Sequence, residues 1–121
     1  MEKILVVGCR RAMDVSCVAC SRCMVGWNRR DGEFSRYGAD AQLMGILGCG
    51  DCPGAAIVPR LVQAKAWNAP MGEIPTRVHV ATCIVDHCPH KETLIKKIRA
   101  KAGVEVIEGS HPYRPENVFG Q

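Results

Sequence analysis

A single α/β domain on a four-stranded parallel sheet is the fold this sequence predicts, and three features predict it. Short apolar runs rich in β-branched residues recur along the chain. Segments of helical character separate them, and such alternation favours a parallel sheet with helices on both faces. The length of 121 residues suits one hydrophobic core.

Each element has its own signal. Ile4-Leu5-Val6-Val7-Gly8 reads as a buried parallel strand. Asp14 or Ser16 is a candidate cap for a helix running to about Arg30, and Asp31-Gly32 stops it. Ala41 to Leu47 is the second strand, closed by Gly48. Cys52-Pro53-Gly54 is expected to open a helix to about Trp67, because proline suits the first helical position. Asn68 to Gly72 reads as a loop.

Arg77 to Ala81 is the third strand. Cys88-Pro89-His90 is expected to open a helix with Leu94, Ile95, Ile98 and Ala102 at helical spacing, ended by Gly103. Val104 to Ile107 is the fourth strand. The predicted strand order is 2-1-3-4, a shortened flavodoxin-like sheet. The domain spans residues 1–111, and residues 112–121, with Pro112 and Pro115, read as an irregular tail.

Composition narrows the function. The formal charge is +4, and Arg10-Arg11, Arg29-Arg30 and Lys96-Lys97 are separate pairs that read as solvated surface. With few aromatic residues there is no stacking platform for single strands, so nucleic acid is not an expected partner. No apolar run approaches the roughly 18 residues that span a bilayer, so no membrane role is expected. The apolar run Ile4 to Val7 is too short for the core of an export signal, and a cytoplasmic location is expected.

Cysteine is the exception to an ordinary composition. There are eight: Cys9, Cys17, Cys20, Cys23, Cys49, Cys52, Cys83 and Cys88. In a reducing compartment such a count points to metal binding or redox chemistry rather than disulfides. Cys9 follows the first predicted strand, Cys49 and Cys52 the second, and Cys83 and Cys88 the third, while His111 comes just after the fourth. Open parallel sheets bind ligands outside the carboxyl ends of their strands. The expected site is therefore at that edge.

The remaining cysteines, Cys17, Cys20 and Cys23, fall early in the first predicted helix and span roughly 120° of one face. Cys17 and Cys23 would be about 9 Å apart along the axis, so one ion takes all three only if the helix starts after Cys17 or unwinds there. Three small buried residues on a helix face is the plain alternative. Cys49-Gly50-Asp51-Cys52-Pro53-Gly54 is more specific. A strand leads in, a helix is expected to lead out, and a cysteine at a helix start is held as thiolate by the dipole. Cys88-Pro89-His90 repeats this device. Cysteine with histidine suits zinc, and thiolates alone also suit iron–sulfur clusters. His87 and His90 need not both be ligands, His79 inside a strand reads as structural, and His111 is a ligand or a polar turn residue.

The ordered blocks resemble the CGGC domain family, small prokaryotic proteins to which a metal-binding role is ascribed. The blocks are Cys9, Cys20 with Cys23, Trp27-Asn28-Arg29-Arg30 to Phe34 and Tyr37-Gly38, and Cys49-Gly50-Asp51-Cys52-Pro53-Gly54. Cys83 with Cys88-Pro89-His90 and Val106 to His111 complete them. Asp51 replaces the family's second glycine, Ser110 stands where the family has threonine, and Cys17 is additional. The resemblance implies a metal-binding domain without naming a substrate.

The leading expectation is a metal centre, an iron–sulfur cluster or zinc. Its ligand pool is Cys9, Cys20, Cys23, Cys49, Cys52, Cys83, Cys88, His90 and His111. That exceeds the four ligands of one structural zinc. The surplus favours a cluster, a second metal or spare redox thiols. Electron or sulfur transfer to a redox protein partner, and a cluster shared in a homodimer, are extensions of this reading. A metal-free dithiol oxidoreductase using Cys49 and Cys52 is the first alternative. A flavodoxin-like small-ligand or partner-binding module is the second, although no Gly-x-Gly-x-x-Gly or Walker pattern is present. No serine or paired-carboxylate motif marks the chain as an enzyme.

Overall fold

The computed structural model describes residues 2–16, 20–50, 52 and 54–110. Four parallel strands, β1 (Lys3–Gly8), β2 (Gln42–Gly48), β3 (Arg77–Val80) and β4 (Glu105–Glu108), form one sheet in the order β2-β1-β3-β4. The helices are α1 (Cys20–Arg29), α2 (Ile57–Asn68), α3 (Thr82–His87) and α4 (Lys91–Ala102). The expected α/β class and 2-1-3-4 order are both found. Among the described residues no helix is long and apolar enough to cross a membrane.

Both faces of the central strands are buried, which is why β1 reads as a continuous apolar run. Leu5, Val7, Val78 and Val80 point to one face and pack against Ile57 and Leu61 of α2 and Leu94, Ile95, Ile98 and Ala102 of α4. Ile4 and Val6 point to the other and meet Trp27 of α1 with Phe34, Tyr37 and Ala41. The chain moves outward from β1 to β2 and then back across β1 to β3. Right-handed crossovers therefore put α1 on the face opposite α2 and α4.

The second face is organised around His79, which is fully buried. Its Nδ1 lies 2.8 Å from the Gly109 carbonyl oxygen, which only accepts, so Nδ1 carries the proton. Nε2 is then a bare acceptor, and the Tyr37 hydroxyl donates to it at 2.6 Å. Phe34 and Tyr37 flank the imidazole, and Trp27 packs on both. The expectation that His79 is structural fits this setting. Arg30 closes the same layer. Its backbone is left-handed, its guanidinium lies 4.0 Å over the Trp27 ring, and it donates to the Trp27, Gly38 and Ala41 carbonyls. Arg30 is thus a clamp on the layer rather than a solvated surface charge.

Three boundaries differ from expectation. Helix α2 starts at Ile57, not at Cys52-Pro53. The reason is Pro59. A helix opened at Pro53 would carry Pro59 in its interior, where it lacks an N–H and clashes with the preceding turn. Starting at Ile57 puts Pro59 in the first turn, where no backbone partner is needed. Residues 54–56 form a turn instead, closed by Ala56 N–H donating to the Cys49 carbonyl at 3.2 Å.

Similarly, α4 begins at Lys91 rather than at Cys88, and the short helix α3 occupies Thr82–His87. Cys88 caps the end of α3. The first helix is preceded by a π-helical turn, Ala12–Ser16, and α1 proper starts at Cys20. Cys17, Asp51, Pro53 and the tail 112–121 lie outside the described residues.

Two outcomes test this packing. Gly54 has φ +95°, and a Cβ there would overlap the Leu94 side chain of α4. Gly54→Ala is expected to lower stability by about 1–3 kcal/mol in urea denaturation. Burial, first of all, pushes the His79 pKa below its ordinary 6.5, helped by Arg36 and Arg77 and opposed by the Gly109 bond and Glu33. Above 6.5 the ring is neutral in both states and no stability is lost. As pH falls, the unfolded chain takes a proton that the folded chain refuses, and stability declines until the folded value is passed. Urea midpoints between pH 7.5 and 5 are expected to fall more steeply for the native chain than for His79→Gln.

Candidate functional site

The sheet brings its carboxyl ends to one level. Gly8 pairs with Gly48, Val7 with Val80, and Val80 with Glu108. The next residues, Cys9, Cys49, Ala81 and Gly109, therefore leave the sheet side by side. The strand order reverses between β1 and β3, the switch point at which such sheets open a crevice. Cys9 lies at this point, and its backbone N–H donates to the Cys83 sulfur at 3.2 Å.

Gly48 allows the approach of the two turns, since a Cβ on it would fall 3.4 Å from Arg10 Cδ, and the Cys49 N–H donates to the Gly8 carbonyl at 3.0 Å. Gly50 follows with φ +82°, and a Cβ on it would fall 2.5 Å from Ala56 Cβ. This left-handed residue folds the turn back on itself. Cys49 stays buried while Cys52 is exposed.

Hydrogen bonds fix the sulfurs. Cys49 Sγ accepts the Arg10 N–H at 3.5 Å and, as a thiol, donates to the Gly50 carbonyl at 3.6 Å. Cys9 Sγ accepts the Ala12 N–H at 3.4 Å. Cys88 Sγ accepts the His90 N–H at 3.4 Å, in the turn that leads into α4. Burial pushes the Cys49 thiol up, the Arg10 amide pulls it down, and Cys9, Cys52 and Cys88 push it up further. Burial likewise raises Cys88, against the His90 amide and with Cys9 and Cys52 adding to the rise. A negative charge on Cys9 or Cys52 therefore opposes ionisation of Cys49 and of Cys88.

The expected helix-dipole activation of Cys52 and Cys88 does not hold, because neither residue stands at a helix start. Cys83 sits in the first turn of α3 and touches the packing on both faces of the sheet. Cys23 is buried in α1, whereas the Cys20 side chain is outside the described atoms. His90 is the residue before α4, and its backbone, rather than its ring, is what meets Cys88. His111 lies outside the described residues. Among the described residues no three His, Cys, Asp or Glu side chains already stand as a closed metal cage.

One clasp escaped the sequence reading. Ser110 Oγ accepts the Thr82 N–H at 3.1 Å, and Thr82 Oγ1 accepts the Ser110 N–H at 3.2 Å. The Gly109 N–H donates to the Val80 carbonyl and the Ser110 carbonyl accepts from Glu33. This reciprocal pair ties the residue before His111 to the residue before Cys83. A serine directly before a candidate ligand was the available signal, but its partner is 28 residues away.

The difference in exposure sets an order of reactivity. Alkylation of the native chain is expected to modify Cys52 well before Cys49, read by mass spectrometry of peptides, with the order lost in denaturant. Equal native rates would contradict the turn geometry described.

Comparison with curated proteins and with solved structures gives no match. The CGGC domain profile matches residues 3–111, from the first residue of β1 to the end of the Ser110 clasp. With that match over nearly its whole length, and with the strand-end cysteines placed on one edge of the sheet, this chain belongs to the CGGC domain family.

Proposed function

We propose that this protein binds a thiophilic metal centre, an iron–sulfur cluster or zinc, at the carboxyl edge of its sheet. The observation that carries the reading is that Cys9, Cys49, Cys52 and Cys88 stand on the three segments that leave the carboxyl ends of the adjacent strands β1, β2 and β3. Four thiols drawn from separate elements give a donor set of the chemistry such centres need. Cys83, Cys20, Cys23, His90 and His111 complete the pool of candidate ligands.

The chain's own residues account for how such a centre would be received. Cys49 and Cys88 are held as thiols by burial, so ligation displaces their protons. Cys49 would also release the Gly50 carbonyl. The Arg10, Ala12 and His90 amides already point at sulfurs and stabilise the negative charge that ligation leaves there. Exposed Cys52 is the donor open to solvent, between Gly50 and Gly54. A bound cluster would supply one-electron chemistry, and zinc a Lewis-acid or structural role. Transfer of electrons or sulfur to a redox partner protein fits the exposure of Cys52.

A second reading is favoured by one observation, the pairing of buried Cys49 with exposed Cys52 in a single turn. In it the two thiols reduce a substrate disulfide and become a disulfide themselves, with the protons and electrons passing to the substrate sulfurs.

Elemental analysis and acid-labile sulfide decide between them, on protein purified without oxygen and without a histidine tag. Iron with matching sulfide, or zinc at about one per chain, is the expected result. It should vanish in Cys49→Ala/Cys52→Ala. Unchanged metal in that double variant would sink the ligand assignment. No metal after reconstitution, together with a reversible Cys49–Cys52 disulfide, would put the second reading first.

A further inference from the structure

Beside the cysteines lies a cleft of about 380 Å³, lined by Arg10, Asp14, Gly50, Ala55, Ala56 and Arg60. Gly48, the last residue of β2, lies against two of these residues. A Cβ on Gly48 would fall 3.2 Å from Arg60 Nη1 and 3.4 Å from Arg10 Cδ. Two arginines, from the turn after β1 and from α2, thus converge over a spot where the chain has no side chain.

We propose that this cleft binds a small organic molecule through an oxyanion, a carboxylate or a phosphate, held between Arg10 and Arg60. Charge supports it. Two guanidinium groups face the single carboxylate of Asp14 among the described lining residues. Asp14 engages only Arg10 Nε, at 3.1 Å, which leaves the outer edge of that guanidinium without a partner among the described residues. Arg60 gives Nη1 to the Gly48 carbonyl at 2.6 Å, which fixes the group while its remaining donors stay available. A planar fork held in this way is suited to bidentate recognition of carboxylate or phosphate.

Size and position limit the ligand further. The volume sits at the low end of small-molecule sites and exceeds what a bare oxyanion needs, so the anion is one end of a larger molecule. The Gly50 wall belongs to the same turn as Cys49 and Cys52, and the Arg10 N–H is bonded to the Cys49 sulfur. The rest of the ligand therefore lies along the turn that carries Cys49 and Cys52. The site goes beyond the metal reading and does not depend on it, since neither arginine is a candidate metal ligand.

The test is a nuclear magnetic resonance titration of the reduced, metal-free chain with inorganic phosphate and with acetate, against chloride at equal ionic strength. Saturable shifts of the Arg10, Gly48, Gly50, Ala56 and Arg60 amides are expected with phosphate or acetate and not with chloride. The stronger of the two identifies the oxyanion. Arg10→Gln, which leaves the Arg60–Gly48 bond intact, should weaken binding about tenfold. Arg60→Gln should weaken it at least as much. Absence of saturable shifts with both probes, shifts that chloride reproduces, or unchanged affinity in Arg10→Gln would each overturn the proposal. In Cys49→Ala/Cys52→Ala the affinity is expected to persist even if metal binding is lost. Loss of anion binding there would assign the anion to the thiols and overturn the arginine site.

Discussion

The pairing of β1 with its two neighbours is the constraint on which the rest of the molecule depends. β1 is hydrogen-bonded to β2 on one side and β3 on the other, and both of its faces are packed. Every turn that carries a strand-end cysteine is positioned by that strand. The register matters as much as the order. Between Ile4 and Leu5 the pairing slips by one residue, so that Leu5 faces Gly45 rather than Met44. Without the slip, Gly8 would face Leu47, and Cys9 and Cys49 would no longer leave the sheet at one level.

Backbone freedom is concentrated where the cysteine turns need it. Gly50 and Gly54 take left-handed conformations in the turn after β2, and each faces a packed neighbour, Ala56 and Leu94. The turn is therefore held as well as bent. Pro59 prevents α2 from reaching back to the cysteines, so Cys52 is left on a turn instead of at a helix start. The consequence is chemical. The Cys49 and Cys88 thiols are governed by burial, amide donors and neighbouring cysteines, and no cysteine of this turn stands at a helix start.

Burial and charge divide the two sides of the sheet differently. On one side a neutral histidine, a tyrosine and an arginine clamp bring hydrogen-bonded polar groups into the layer, with the Arg30 Nε left buried without a partner among the described residues. The imidazole tautomer there follows from a carbonyl that only accepts. At the carboxyl edge, sulfur and guanidinium stand beside each other, with the Arg10 backbone serving a thiol while its side chain lines a cleft. One residue after β1 thus serves two neighbouring features.

Local pattern alone determined the fold class, the number and rough extent of the strands, the last helix with its end at Ala102 and the placing of the strand-end cysteines on one edge. These follow from apolar periodicity and from the rule that parallel strands present their carboxyl ends together. Cys49 and Cys52 were legible as a pair because their spacing is local. Pro59 also stood in the sequence as a signal against an early helix start. The short helix α3 was not legible, since Thr82 to His87 spans too few residues for a period to register. Only tertiary structure decided that the Cys9 N–H meets the Cys83 sulfur, that Arg30 is a clamp, that Ser110 grips Thr82 and that Arg10 meets Arg60 over Gly48. Apart from the Arg30 clamp, whose partners lie within 11 residues of it, those contacts join residues far apart in sequence and depend on the register of β1 against β2 and β3, a quantity that no local stretch of the chain encodes.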